Sequence, residues 1–221
     1  SSKYDKAGGA GSSGGFKQSR ANLPERPWLI DNLDEVVAFL TGSPAKGDAN
    51  GEEEEEGRSS PKRVKTSNKC RSAIVFVDNA GSDLVLGILP FVREMLKSGV
   101  RVVLAANEKA TINDVTCDEL VGLFTRVVAH DIPRVEDALL CEACASGQLA
   151  IVSSGSDLPI IDLSQVSKAC QDAAQGCDLV VLQGMGRAIE SNLNAQFKSN
   201  VLKLGVVKHG AVAASLHGKL G

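Results

Sequence analysis

No apolar run in this 221-residue chain reaches the roughly 20 residues needed to cross a bilayer, so no membrane partner is expected. A basic balance is also missing. The 24 Lys and Arg against 27 Asp and Glu leave a net charge of −3, which gives nucleic acid or an anionic surface no general attraction. The opening residues carry no basic, apolar, small-residue signal, so the expected compartment is the cytoplasm. Histidine is scarce: only His130, His209 and His217 occur. No acid is placed to orient any of them behind the serine-rich loop Ser153-Ser154-Gly155-Ser156, which argues against a nucleophilic triad. A Walker-type loop ending in Lys-Ser or Lys-Thr is absent, which argues against an ATPase. No GxGxxG follows the first strand, which weakens a dinucleotide enzyme.

Six cysteines are present, and their scatter through helical apolar patterns suits reduced thiols. Cys141-Glu142-Ala143-Cys144 has CxxC spacing, but it lies in a helix-like stretch with no second pair at zinc-ribbon spacing. The plain reading is a helix face with two small apolar residues.

Composition divides the chain. Residues 1–25, rich in Gly, Ser and Lys, read as a flexible segment. Residues 26–40 form a short lead-in, with Asp31 or Asp34 capping a helix through Val36, Val37 and Leu40. Residues 41–70 lose periodicity: Glu52 to Glu56 is acidic and Lys62 to Lys69 basic, the pattern of a solvated linker. Pro61-Lys62-Arg63-Val64-Lys65 has the spelling of a nuclear signal, but such short runs are common and a charged linker is the preferred reading.

Residues 71–221 alternate strand and helix. Strands are expected at Ala73–Val77, Val100–Ala105, Leu149–Val152, Leu179–Leu182 and Lys203–Val207. Helices are expected near Val85–Lys97 (with Leu86, Leu89, Val92, Met95 and Leu96 on one stripe), Asp118–Val128 capped by Asp118, Val135–Ala145, Asp162–Ala174 and Ala188–Phe197. This order implies an α/β fold: a Rossmann-like, mostly parallel sheet with helices on both faces.

The strand ends carry the chemistry. Asp78-Asn79 closes the first strand, Asn107 the second, and Asn113-Asp114 follows in the next loop. In open α/β sheets ligands bind at the carboxyl ends of the strands. Asp78, Asn79 and Asp114 offer only oxygen donors, the set a hard divalent cation prefers. Gly184-Met185-Gly186-Arg187 follows another strand, where glycines let backbone N–H groups approach a phosphate and Arg187 adds a forked donor. Lys208, after the last strand, adds a point charge. A divalent ion with fixed positive groups around a phosphate is equipment for metal-assisted hydrolysis.

Together these residues are distinctive. Val77 to Asp83, Asn113-Asp114-Val115-Thr116, Gln183-Gly184-Met185-Gly186-Arg187 and Val207-Lys208 resemble the metal-dependent damage-control phosphatase family. The branch they resemble includes plant 4′-phosphopantetheine phosphatases and the carboxyl-terminal domain of some pantothenate kinases. Arg26-Pro27-Trp28 and Ile30-Asp31 look like the family segment before the first strand. The resemblance implies hydrolysis of small phosphometabolites, here 4′-phosphopantetheine and its oxidised or otherwise damaged forms. It implies manganese, cobalt, nickel or magnesium held by Asp78, Asn79 and Asp114. It places Gly184, Met185, Gly186, Arg187 and Asn192 in a phosphate pocket and Lys208 on the phosphate, with in-line attack by a water or an Asp left open. Three departures stand out: Gln183 where the family has Glu, His209 where the branch has Asn, and a truncated helical amino-terminal region. The alternatives are a sugar-phosphate phosphatase of the same family, a catalytically weak binding relative and a plain nucleotide-binding module.

Overall fold

A computed structural model describes residues 21, 25–28, 30–43, 69–129, 135–207, 210, 212 and 214. Residues up to Leu33 and residues from Asp34 onward form separate compact units. In the first, Asp31 organises the Arg26-Pro27-Trp28 segment. Its carboxylate accepts from Arg26 Nε (2.7 Å) and from the backbone of Trp28 (3.2 Å) and Leu33 (3.2 Å). The Arg26 hydrogen bond leads the pull that holds the Asp31 carboxyl down at about 2.

The second unit is built on five parallel strands: β1 (Ser72–Phe76), β2 (Arg101–Ala106), β3 (Leu149–Ser153), β4 (Leu179–Gln183) and β5 (Asn200–Leu204), in the order β3-β2-β1-β4-β5. The helices are α1 (Leu33–Thr41), α2 (Leu89–Lys97), α3 (Cys117–Ala129), α4 (Val135–Ser146) and α5 (Lys168–Ala174). Strand alternation splits the core in two. Ala73, Val75, Val102, Leu104, Leu179 and Val181 face Val92, Met95, Leu120 and Leu140 of α2, α3 and α4. Ile74, Phe76, Val103, Ala105 and Leu182 face the other way, with Ile161, Cys170 of α5 and Ala188. Both faces are therefore covered, which is why β1 and β2 read as continuous apolar runs. Each such buried Val, Ile or Leu contributes about 1.5–3 kcal/mol. Phe39 and Leu40 of α1 pack on the first of these clusters. No helix among the described residues is long and apolar enough to cross a membrane.

Four local readings differ from the sequence expectation. The chain is π-helical from Asp83 to Ile88, with Leu89 N–H donating to Leu84 O, before α2 begins. The wider winding turns Leu84 and Ile88 inward and leaves Leu86 exposed, off the expected stripe. Asp118 does not cap α3. Thr116 does, through a reciprocal pair with Glu119: Glu119 N–H donates to Thr116 Oγ1 (3.2 Å), and Glu119 Oε2 accepts from Thr116 N–H (2.9 Å). α5 begins at Lys168, not Asp162. Asp162 instead folds a turn by accepting from Ser164 N (2.9 Å), and Ser167 caps the helix by accepting from Cys170 N (3.1 Å) while donating to Ser153 O (2.7 Å). Finally, the helix after β4 is only the π-helical turn Met185–Glu190. The chain saved lets β5 start at Asn200, paired with Leu179, rather than at Lys203. Of the expected flexible segment 1–25 all but Ala21 and Glu25, and of the expected linker 41–70 residues 44–68, lie outside the described residues, as do His130, Lys208, His209 and His217.

Candidate active site

The strand order creates the site. From β1 the chain steps outward to β2 and β3, then crosses back to β4 on the other side of β1. The carboxyl ends of β1 and β4 therefore flank the point where the winding reverses, the place where open α/β sheets bind ligands. Asp78 follows β1 and Gly184 follows β4, so both stand at that point.

Asp114 arrives by a return loop from β2. Val115 N–H donates to Asp78 O (2.9 Å) and Ala80 N–H to Asn113 O (2.8 Å), forming an antiparallel bridge between Asn79 and Asp114. A second bridge joins Asn107 to Thr116. The loop turns through Ile112 at φ 51°, a left-handed conformation uncommon for a β-branched residue, and Asp114 N–H closes on Thr111 O (2.9 Å). Residues distant in sequence thus share one short ladder, which sets Asp78-Asn79 beside Asp114.

Arg187 binds these residues together. Its side chain is 1% exposed. Nη1 donates to Asp78 Oδ1 and to Pro159 O (3.4 Å), while Nη2 donates to Asn107 Oδ1 (3.0 Å) and Asp114 Oδ2 (3.1 Å). Asn107 is equally buried. Its Nδ2 donates to Asp114 Oδ2 (3.2 Å) and Leu158 O (3.1 Å). The sequence expectation put Arg187 on a phosphate; in the structure its guanidinium is engaged by the two carboxylates. By sequence Asn107 is only a strand-end residue, and its local sequence carries no sign that its amide would bridge Asp114 and Arg187.

The glycines serve the same assembly. Gly184 has φ 94°, and a Cβ there would lie 2.1 Å from Asp78 Oδ2. A Cβ on Gly186 would lie 2.7 Å from Pro159 O. Gln183 Oε1 accepts from Asp78 N–H (3.3 Å), a role that a Glu oxygen would fill equally. Asn192, expected in the phosphate pocket, is buried, and its Nδ2 donates to Ile161 O (3.0 Å), Arg187 O (2.9 Å) and Ser191 Oγ (3.0 Å). It braces the turn that carries Arg187. Met185 opens that turn.

The donor chemistry fits a divalent cation. Asp78 and Asp114 present carboxylate oxygens at the point where the winding reverses. Asn79 spends its amide nitrogen on Asp83 Oδ2 (2.7 Å), which assigns its carbonyl oxygen to the remaining interactions. An all-oxygen set with two formal negative charges suits a hard ion. Among the described residues no group of three His, Cys, Asp or Glu side chains is gathered for a metal, so an ion here depends on the Asn79 amide. The CxxC cysteines lie on α4; all six thiols are free, and burial pushes that of Cys144 up.

Residues 9–221 match a family described as the damage-control phosphatase ARMT1-like domain. The chain is 42% identical over 206 residues to the damage-control phosphatase At2g17340 of Arabidopsis thaliana, covering 93% of this chain and 47% of that protein. It is 38% identical over 216 residues to pantothenate kinase 2 of the same plant, covering 91% and 22%. It is 30% identical over 255 residues to the 4′-phosphopantetheine phosphatase of Mus musculus, covering 93% and 27%. The chain thus spans about half or less of the length of these curated relatives. A crystal structure of a DUF89 family protein from Pyrococcus horikoshii superposes with a TM-score of 0.59 at 18% identity, over 94% of this chain and 55% of that one, which shows a shared fold.

Proposed function

We propose that this chain, which belongs to the ARMT1-like damage-control phosphatase family, hydrolyses phosphomonoesters of small metabolites in the cytoplasm. The proposed substrates are 4′-phosphopantetheine and its oxidised or otherwise damaged forms. The observation that carries the reading is the convergence of Asp78, Asn79 and Asp114 at the carboxyl end of β1, where the strand order reverses. The substrate class is supported by the mouse relative, a 4′-phosphopantetheine phosphatase.

Asp78, Asn79 and Asp114 would hold a manganese, cobalt, nickel or magnesium ion. Such an ion, when bound, polarises a phosphoryl oxygen and lowers the pKa of water. The protein's own part is to fix the donors. The Asn79–Asp114 bridge sets one carboxylate beside the next residue's amide, and Gln183 holds the Asp78 backbone. Gly184 leaves room for the Asp78 carboxylate that any side chain would take. In this reading Lys208 holds the phosphate from the segment after β5.

The test is phosphate release from 4′-phosphopantetheine with Mn²⁺ or Co²⁺, with sugar phosphates run in parallel. Asp78→Asn and Asp114→Asn should each lower release by on the order of 100-fold or more while circular dichroism stays native. A folded parent that releases no phosphate, or release surviving both substitutions, would sink the reading. Faster turnover of sugar phosphates would keep the phosphatase and replace the substrate.

A further inference from the structure

Arg187 heads the largest fully buried side chains among the described residues, ahead of every core Leu, Ile and Met. A guanidinium taken out of water carries a large desolvation cost unless its donors and its charge are both met. Here both are met, by two carboxylates, one amide oxygen and one backbone carbonyl. The partners are not a generic acidic surface. They are Asp78 and Asp114, whose side chains are 15% and 4% exposed and which would repel each other in so dry a site.

We infer that Arg187 is the internal counter-cation of this site: it holds Asp78 and Asp114 together and is not a phosphate ligand. The inference rests on reading those carboxylates as metal-binding. Arg187 reaches one oxygen of each, Asp78 Oδ1 and Asp114 Oδ2, and leaves the second oxygen of each out of its fork. Asn107 makes the arrangement stiff, since its oxygen accepts from Nη2 while its nitrogen donates to the same Asp114 oxygen. At 1% exposure the guanidinium has no surface to offer an incoming phosphate. Its positive charge still acts at the site. It offsets one of the two negative charges, so a bound divalent ion is not fully neutralised by its ligands and keeps its pull on a phosphate dianion. Arg187 is in this sense a positioning residue, acting through the carboxylates.

Melting temperatures of the full chain in EDTA and in Mn²⁺ test this, with Mn²⁺ alone as the probe. The set is the parent, Arg187→Met, Arg187→Lys and Leu140→Ala, the last a buried position in α4 that reports a plain core lesion. Arg187→Met should fall by on the order of 10 °C in EDTA, since it takes the guanidinium charge away from two largely buried carboxylates. It should then gain at least about twice the parent's increment from Mn²⁺, which supplies the missing positive charge. Arg187→Lys keeps the charge and should gain close to the parent's increment. Leu140→Ala should fall in EDTA and gain only the parent's increment. A Met variant that gains no more than the parent, or that fails to fold even in Mn²⁺, overturns the inference. So does a Lys variant that behaves like the Met variant. A parent that gains nothing from Mn²⁺ defeats the metal-site reading itself and the inference with it, and that failure is visible in the parent alone.

Discussion

One absent carbon at Gly184 decides how Asp78 is presented. The backbone there sits at φ 94°, and a Cβ would overlap the Asp78 carboxylate. Gly184→Ala therefore combines backbone strain with displacement of a metal-ligand candidate. The expected result is a stably folded but weakened chain whose Mn²⁺-dependent rise in melting temperature is lost. A Gly184→Ala chain that keeps the parent's Mn²⁺ increment would show that the carboxylate does not need this space. The GMG spelling marked a place of close approach in the sequence. Within the protein, the groups that come close are the Asp78 carboxylate at Gly184 and the Pro159 carbonyl at Gly186. A glycine in sequence announces room, and only the packed structure says which atom takes it.

Elements are fixed here by their ends as much as by their apolar faces. The Thr116–Glu119 pair starts α3 directly after Asp114, so it anchors the return loop as well as the helix. The Thr116 backbone N–H, followed by its hydroxyl, holds the Glu119 carboxyl below the ordinary glutamate value of 4.5. A carboxylate lowered by folding contributes stability that is complete above the unfolded value and is lost as pH falls through the folded one. Glu119→Ala should thus cost about 0.5–1 kcal/mol at pH 7, trimmed by solvent exposure, with the difference from the parent shrinking as pH falls from the ordinary value of 4.5 through the lower folded one. Urea melts across that range measure it; a difference that does not shrink with acid would remove Glu119 ionisation from the cap. By sequence Asp118 is the expected cap. The capping-box spacing from Thr116 to the acid three residues on, Glu119, is the local signal that points to Thr116 instead.

At the scale of the whole molecule, two-sided burial of the sheet governs the thiols. Burial pushes the Cys70 and Cys170 thiols up to about 11, and each lies in one of the two core clusters. Native protein at pH 8 should therefore take iodoacetamide at Cys117, Cys141 and Cys144 before Cys70 or Cys170, which should label only with denaturant. Peptide mass mapping reads this, and early labelling of Cys70 or Cys170 would contradict a sheet sealed on both faces. The same burial explains why the strands were legible. Ala73 to Val77 and Val102 to Ala106 are buried on both sides, so their apolar runs had no polar interruptions to blur them. β5 at the edge is half-exposed, and it begins three residues before the expected Lys203.

The sequence by itself determined that strands and helices alternate, that the sheet is covered on both faces, and that Asp78, Asn79, Asp114 and the Gly184–Arg187 turn stand at strand ends. These follow from periodicity and from residue types that act locally. Only the tertiary structure decided that β1 lies between β2 and β4, which brings Asp78 against Gly184, and that a return loop pairs Asp114 with Asn79. It also decided the partners of Arg187, which lie 109 and 73 residues away at Asp78 and Asp114. A guanidinium after a glycine turn serves a phosphate or a carboxylate equally well by its chemistry. Which one it meets is set by what the packed sheet brings within 3 Å or so of a buried charge, because that charge must be satisfied from inside the protein.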